Sequence, residues 1–265
     1  MKKILITGAN SYIGTSFEKY MAQWSEQYQV ETVDMIDGTW REKNFSGYDC
    51  VYHVAGIAHI KETAENAHLY YKINRDLPLE VAAHAKKDGV KQFVFLSSMS
   101  VYGLEEGEIT IDTQPSPKSN YGKSKLEAEE GLLPMRDNSF GIAVMRPPMV
   151  YGDDCKGNYQ SLVKLAKTMP VFPDYKNQRS MIHIDRLSWF VKQLVDNQSD
   201  GLFFPQDESY VCTCKMVQQI AKDMGKDIKL LKVLNPMVYL LKAATTKGKK
   251  AFGNLYYNMT DIAWR

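Results

Sequence analysis

The first 34 residues constrain the fold more than any other stretch. Residues 3–7 are a short, Ile-rich apolar run, and Gly8-Ala9-Asn10-Ser11-Tyr12-Ile13-Gly14 leads from it into a helical pattern through Trp24. A second strand-like segment, 29–35, carries Asp34 near its end. Strand, glycine loop, helix, strand, acid is the order of a βαβ unit that holds a dinucleotide. Gly8 permits the tight turn, and Gly14 lets the helix pack close to the sheet. The backbone N–H groups at the helix start can then hold a pyrophosphate. Asp34 stands where a carboxylate accepts bonds from adenosine ribose hydroxyls and repels a 2′-phosphate, which favours NAD and leaves NADP as the alternative. The spacing wants Gly at 11, where Ser11 stands. Its side chain either crowds the phosphates or bonds to one.

The same alternation continues along the chain. Segments 50–55, 91–97 and 141–146 are short, apolar and bounded by turn residues, whereas 69–87 and 121–133 have helical spacing. Pro78 is a kink or a helix start within the first of these. Short apolar strands separated by longer helices predict an α/β protein with a doubly wound parallel sheet, covered on both faces. From about Tyr151 the alternation weakens, and Pro, Asn and Asp loops become common. We therefore expect residues 1–152 and about 181–200 to form a dinucleotide-binding domain. About 153–180 and 201–265 would form a small C-terminal substrate lobe, with 186–197 a helix returning to the main domain.

Composition removes several classes. At 265 residues, 44% hydrophobic and 24% charged, the chain can bury a core without disulfide staples. A net charge of +2 implies no strong field for nucleic acid or membrane, and Lys247-Gly248-Lys249-Lys250 reads as a solvated turn. The N-terminal apolar run is stopped by Gly8, too short for a secretory signal, and nothing else approaches the roughly 20 apolar residues of a membrane span. A soluble, cytoplasmic protein is expected. Cys212-x-Cys214 would share one face of a strand, but no second ligand pair accompanies it, so no metal is expected.

Tyr121 and Lys125 lie four residues apart in Tyr121-Gly122-Lys123-Ser124-Lys125, hence on one helical face. A tyrosine hydroxyl ordinarily gives up its proton near pH ~10, and a neighbouring cation lowers that value. Upstream, Ser97-Ser98-Met99-Ser100 closes a strand, where hydroxyls face the crevice in which ligands bind and can bond to an oxygen that changes between alcohol and carbonyl. A lone YxxxK is a common helix pattern. Its place after the glycine loop, the acid and the Ser-rich strand end makes it informative.

With these segments in view, the chain resembles the extended branch of the short-chain dehydrogenase/reductase family, in particular its sugar-nucleotide epimerases and reductases. The matching segments are Thr7 to Gly14, Asp49 to Gly56, Ser97 to Gly103, Tyr121 to Lys125, Arg146 to Gly152 and Arg179 to Asp185. The resemblance implies a Rossmann-type sheet and a catalytic set of Ser98, Tyr121 and Lys125, with Ser100 the runner-up serine. It implies a cofactor site of Gly8, Asn10, Ser11, Tyr12, Ile13, Gly14, Asp34, Val54, Ala55, Gly56 and Pro147, joined by Tyr121 and Lys125. Lys125 would hold the nicotinamide ribose. Ser100, Asn158 and Arg179 would contact a UDP-sugar, the last two at its diphosphate, although Arg179 can also be read as a surface ion pair with Asp174. The resemblance further implies a homodimer, a structural Asn74 bracing the central sheet, and relatives that usually continue beyond Trp264-Arg265.

Other residues carry competing readings. Trp40 borders the adenine or caps the core. His53 and His183 read as structural, His59 as a loop histidine with no partner although it could reach substrate, and nothing in the sequence activates Cys155. The flanks of Ser98, Met99 and Ser100, offer no acid pair for eliminating water, which disfavours a 4,6-dehydratase. A UDP-sugar 4-epimerase and a UDP-4-keto-sugar reductase of surface polysaccharide biosynthesis both remain open. A non-catalytic NAD(P)-binding sensor of the same fold would not need the Ser98, Tyr121 and Lys125 set.

Overall fold

The computed structural model describes residues 1–58, 62–155 and 157–260, and six of its strands form one parallel sheet. These are β1 (Lys2–Thr7), β2 (Tyr28–Val33), β3 (Cys50–His53), β4 (Gln92–Leu96), β5 (Gly141–Met145) and β6 (Gly201–Phe203). Their spatial order is β2-β1-β3-β4-β5-β6, with Thr7 registered beside both Val33 and His53. The chain thus lays β2 on one side of β1 and β3 on the other. That reversal opens a crevice beyond the carboxyl ends of β1 and β3.

Among the described residues, the α-helices before β5 are α1 (Tyr12–Met21), α2 (Ala67–Tyr71), α3 (Leu77–Lys87) and α4 (Asn120–Leu132). Those after it are α5 (Asn158–Thr168), α6 (Ile184–Asp196), α7 (Thr213–Asp223), α8 (Asn235–Ala244) and α9 (Thr246–Phe252). Successive strand residues face opposite ways. Ile4, Ile6 and Tyr52 pack with Phe17 and Met21 of α1 and with Leu187, Val191 and Leu194 of α6. Leu5, Val51, Phe93 and Phe95 pack on the other face with Val81 and Ala85 of α3 and Ala128 and Leu132 of α4. The sheet is doubly wound, as its sequence pattern predicts.

Between β2 and β3 no long helix intervenes, and Trp40 and Phe45 fill that face instead. Trp40 is buried beside His84, so it caps the core, and the adenine reading is dropped. The segment predicted as one helix over 69–87 is two helices joined by a wide π-type turn at Lys72–Asp76, with Pro78 in the first turn of α3. Cys212 and Cys214 are not on a strand: Cys212 caps the start of α7, and Cys214 is buried inside it. Residues 201–203 form the edge strand β6 beside β5. A separate apolar cluster, including Leu162, Phe172, Val217, Ile220, Val238 and Phe252, gathers α5, α7, α8 and α9. Among the described residues no helix is long and apolar enough to cross a membrane.

Candidate active site

The glycine loop is built as a phosphate cradle. Gly8 has φ +105°, and a Cβ there would sit 2.9 Å from both the Cα and the backbone N of Ala55. The loop therefore lies flat against the segment that leaves β3. Asn10 takes the left-handed conformation at φ 63°, which an asparagine tolerates. Ser11 caps α1, its Oγ accepting from the Gly14 N–H at 3.1 Å, so its hydroxyl serves the helix end. The Thr15 N–H is taken by the Ser11 carbonyl at 2.9 Å, which leaves the amides of Tyr12 and Ile13 for an anion. A Cβ on Gly14 would meet Ser11 Oγ at 2.7 Å and Ile6 and Val54 methyls at 3.1 and 3.2 Å, so only glycine lets α1 sit this close to the sheet. Gly8 and Ala9 both donate to the Val33 carbonyl, which sets exposed Asp34 directly beside the loop.

The other half of the site rests on α4. Ser119 caps this helix, and Tyr121, Lys125 and Glu129 follow at successive turns of one face. A Cβ on Gly122 would be 2.6 Å from the Ser100 carbonyl oxygen and 3.0 Å from Pro117, so this glycine presses the helix start onto the turn after β4. That approach brings the turn carrying Ser98 close to Tyr121. Burial pushes the Tyr121 hydroxyl above its ordinary value, and the Ser98 hydroxyl acts against that push. The lowering expected from Lys125 is not what the structure shows. Lys125 Nζ donates instead to the Leu96 carbonyl at 2.8 Å and lies 4.7 Å from the Phe95 ring centre. Burial draws its ammonium down to about 7, against a smaller upward pull from Glu129.

The two halves meet at Gly56, where a Cβ would lie 3.0 Å from Asn74 Oδ1 and 3.4 Å from Lys125 Nζ. Asn74, in the wide turn between α2 and α3, holds that segment through both backbone groups of Ile57 at 2.9 and 3.0 Å. It also donates to Ser124 at 3.3 Å. It therefore braces the strand-end segment against α4. Ser100 is exposed, its N–H bound to Ser98 Oγ at 3.1 Å. Pro147 is buried, and its carbonyl accepts from the Met99 N–H at 2.9 Å.

Beneath Lys125 lies a polar network that the sequence reading missed. Glu129 and Arg146 form a buried bidentate pair with contacts of 2.6 to 3.1 Å. Ser97 donates to the same carboxylate, and Arg146 donates to the Tyr102 hydroxyl at 2.8 Å. Ser97 is thereby assigned to support, and Ser98 is the serine that acts on the Tyr121 hydroxyl. The extension of the Tyr121, Lys125 spacing to Glu129 was the available signal. At the strand ends, His53 Nδ1 and Thr7 Oγ1 are 2.7 Å apart, and burial, then the charge of Lys125, draws the imidazole down to about 3.

Arg179 does not pair with Asp174. Its guanidinium donates to the Gly253 carbonyl at 3.1 Å, and burial lowers its proton affinity. Asn158 opens α5, but its side chain lies outside the described residues, as does His59. His183 caps α6 and is structural. Burial raises the Cys155 thiol, so it is no nucleophile.

A model of the NAD dependent epimerase/dehydratase family matches residues 4–196. The chain belongs to that family. It is an enzyme of the extended short-chain dehydrogenase/reductase type, and the open loop amides, the flat approach at Gly8 and the Gly56–Lys125 contact fit a nicotinamide dinucleotide. A UDP-glucose 4-epimerase of Vibrio cholerae is 29% identical over 253 residues, covering 85% of this chain and 76% of that one. An Escherichia coli O157:H7 protein named N-acetyl-alpha-D-glucosaminyl-diphospho-ditrans,octacis-undecaprenol 4-epimerase is 26% identical, covering 88% and 76%. In fold, the chain is similar to a UDP-glucuronic acid 4-epimerase from Bacillus cereus in complex with NAD, with TM-score 0.72 and 17% identity over 99% of this chain and 93% of that one.

Proposed function

We propose that this family member is an NAD-dependent 4-epimerase of a UDP-hexose serving surface polysaccharide biosynthesis. The observation that carries the reading is the convergence of three side chains: Ser98 acts on the Tyr121 hydroxyl, and Lys125 lies one turn below Tyr121 and beside Gly56. Bound nicotinamide supplies one function, accepting a hydride from the sugar's C4 and returning it. Tyr121 takes the proton from the sugar O4 and gives it back. Ser98 Oγ donates to that oxygen as its charge changes. Lys125 would hold ribose hydroxyls, while its ammonium keeps the end of β4 through the Leu96 carbonyl. Asn158 and Arg179 are proposed for the diphosphate, and Ser100 for the sugar. Arg179 must then exchange its bond to Gly253 for phosphate oxygens, which suit its fork better.

Two features separate this chemistry from dehydration. Met99 and Ser100 bring no carboxylate beside Ser98, and Glu129 is committed to Arg146 and Ser97. Exposed Asp34 beside the loop disfavours a 2′-phosphate and so supports NAD, which an epimerase regenerates at every turnover. The curated 4-epimerases of Vibrio cholerae and Escherichia coli support the same direction. A cytoplasmic homodimer, with residues 1–152, about 181–200 and β6 forming the cofactor domain and the rest the substrate lobe, completes the proposal.

The test begins with denaturing the purified protein and assaying for released NAD. UDP-hexoses, with and without the N-acetyl group, are then followed by NMR and by absorbance at the NADH band. Interconversion of C4 epimers without net cofactor change is expected. Stoichiometric NAD(P)H loss with a UDP-4-keto sugar would make the enzyme a reductase. Tyr121→Phe should lower kcat about 10²- to 10⁴-fold, and a variant that keeps full turnover would remove Tyr121 from the catalytic set.

A further inference from the structure

None of the residues proposed for the reaction lies on α8 or α9. Helix α8 buries Val238 in the lobe core, while Val233, Met237, Tyr239 and Leu240 are 78%, 47%, 61% and 69% exposed. Positions 233, 237, 240 and 244 recur at helical spacing, so Val233, Met237, Leu240 and Ala244 make one outward stripe. Large apolar side chains gathered on one exposed face mark an interaction surface.

Charge narrows the occupant. Residues 228–260 hold six lysines and no Asp, Glu or Arg, in a chain whose net charge is only +2. A Cβ on Gly248 would lie 2.2 Å from the Leu241 carbonyl oxygen, so the backbones of α8 and α9 touch there. That contact holds the backbone that carries Lys247 and Lys249 against α8, the helix of the apolar stripe. Lys242 pairs with Glu106 at 2.7 Å and Lys250 with Glu105 at 3.5 Å. Among the described residues no ion pair engages Lys232, Lys247 or Lys249, and all three are exposed. A second copy of the chain is a poor partner, since pairing this face with itself opposes lysine to lysine. The stripe protrudes on a helix, so it suits a yielding apolar phase bordered by anions better than a pocket.

We infer that the α8–α9 face docks on the surface of an anionic lipid bilayer. Val233, Met237 and Leu240 enter the boundary between headgroups and acyl chains, and Tyr239 sits at the interface level. Lys232, Lys247 and Lys249 reach the lipid phosphates, their stems lying along apolar surface. At ten residues, α8 lies on the membrane and does not cross it.

The full chain is tested by flotation with vesicles of phosphatidylglycerol and phosphatidylcholine, and with phosphatidylcholine alone, at low and high salt. Binding to the anionic vesicles is expected, weakened by salt and by removal of phosphatidylglycerol. Leu240→Asp, and separately Lys247→Glu combined with Lys249→Glu, should each reduce it about tenfold or more. Ile111→Asp, at an exposed apolar residue outside this segment, should not. Turnover of soluble sugar nucleotide and the circular dichroism spectrum should be unchanged in all variants, which separates this outcome from failure of the epimerase reading. The proposal is overturned if anionic vesicles do not retain the protein, or if Leu240→Asp floats as the parent does. It is equally overturned if the parent self-associates without vesicle binding and Leu240→Asp abolishes that association.

Discussion

Arg146 holds Glu129 in a buried bidentate pair, 2.6 Å from Nη2 to Oε2, one helical turn beyond Lys125. The pair anchors the face of α4 that carries Tyr121, and it links that face to the end of β5. Replacing one partner strands the other charge in the interior. Glu129→Gln is expected to cost about 3–5 kcal/mol in urea unfolding, and the double variant Glu129→Gln with Arg146→Met should recover part of that loss. A single variant as stable as the parent would show that the pair does not anchor the helix.

Lys125 trades stability for function. Burial draws its ammonium from 10.5 to about 7. Between these values the unfolded chain binds a proton that the folded chain has given up, so stability rises with pH across this window and is lowest, for this group, below about 7. Lys125→Met should therefore flatten the slope between pH 7 and 10 and stabilise the fold at neutral pH by about 1–3 kcal/mol. Turnover should fall at least about 100-fold. Unfolding curves at three pH values, set beside kcat, check both halves.

His53 supplies the acid limb. Its imidazole, drawn from 6.5 to about 3 chiefly by burial, stays neutral in the folded chain while the unfolded chain protonates. Stability is complete above about pH 6.5 and is lost as pH falls towards 3, by about 2–4 kcal/mol at pH 4. His53→Gln should flatten that limb, as measured by urea midpoints between pH 7 and 4. An unchanged slope would assign the acid sensitivity to other groups.

Gly122 sets how closely α4 approaches the turn that carries Ser98. A methyl there meets the Ser100 carbonyl oxygen at 2.6 Å, so Gly122→Ala must move α4 off the turn that carries Ser98. The expected result is a fall in kcat of about tenfold or more, together with about 1–3 kcal/mol of destabilisation. Wild-type kcat in this variant would show that the Ser98–Tyr121 contact does not depend on the close approach.

The cofactor half was legible early because its determinants are local. A tight turn needs Gly8, a close helix needs Gly14, and the strand register places Asp34 beside them. Tyr121 and Lys125 were legible through helical spacing, and Asn74 through resemblance. The sequence leaves the role of Ser11 open because a hydroxyl at a helix start serves either the cap or a ligand, and only the 3.1 Å bond to Gly14 decides between them. Trp40 is likewise ambiguous in sequence, since an aromatic in a short connection packs wherever the neighbouring helix leaves room.

By itself, the sequence determined the alternation of strand and helix, the glycine loop, and the one-face placement of Tyr121 and Lys125, all of which follow from spacings within about ten residues. Tertiary structure decided which serine meets Tyr121, where the Lys125 ammonium points, and which charge pairs with Glu129. It also decided that α8 turns an apolar stripe outward among lysines. These outcomes depend on which surfaces distant segments bury, and burial sets the cost of every charge and unpaired hydroxyl. No local spacing encodes that cost.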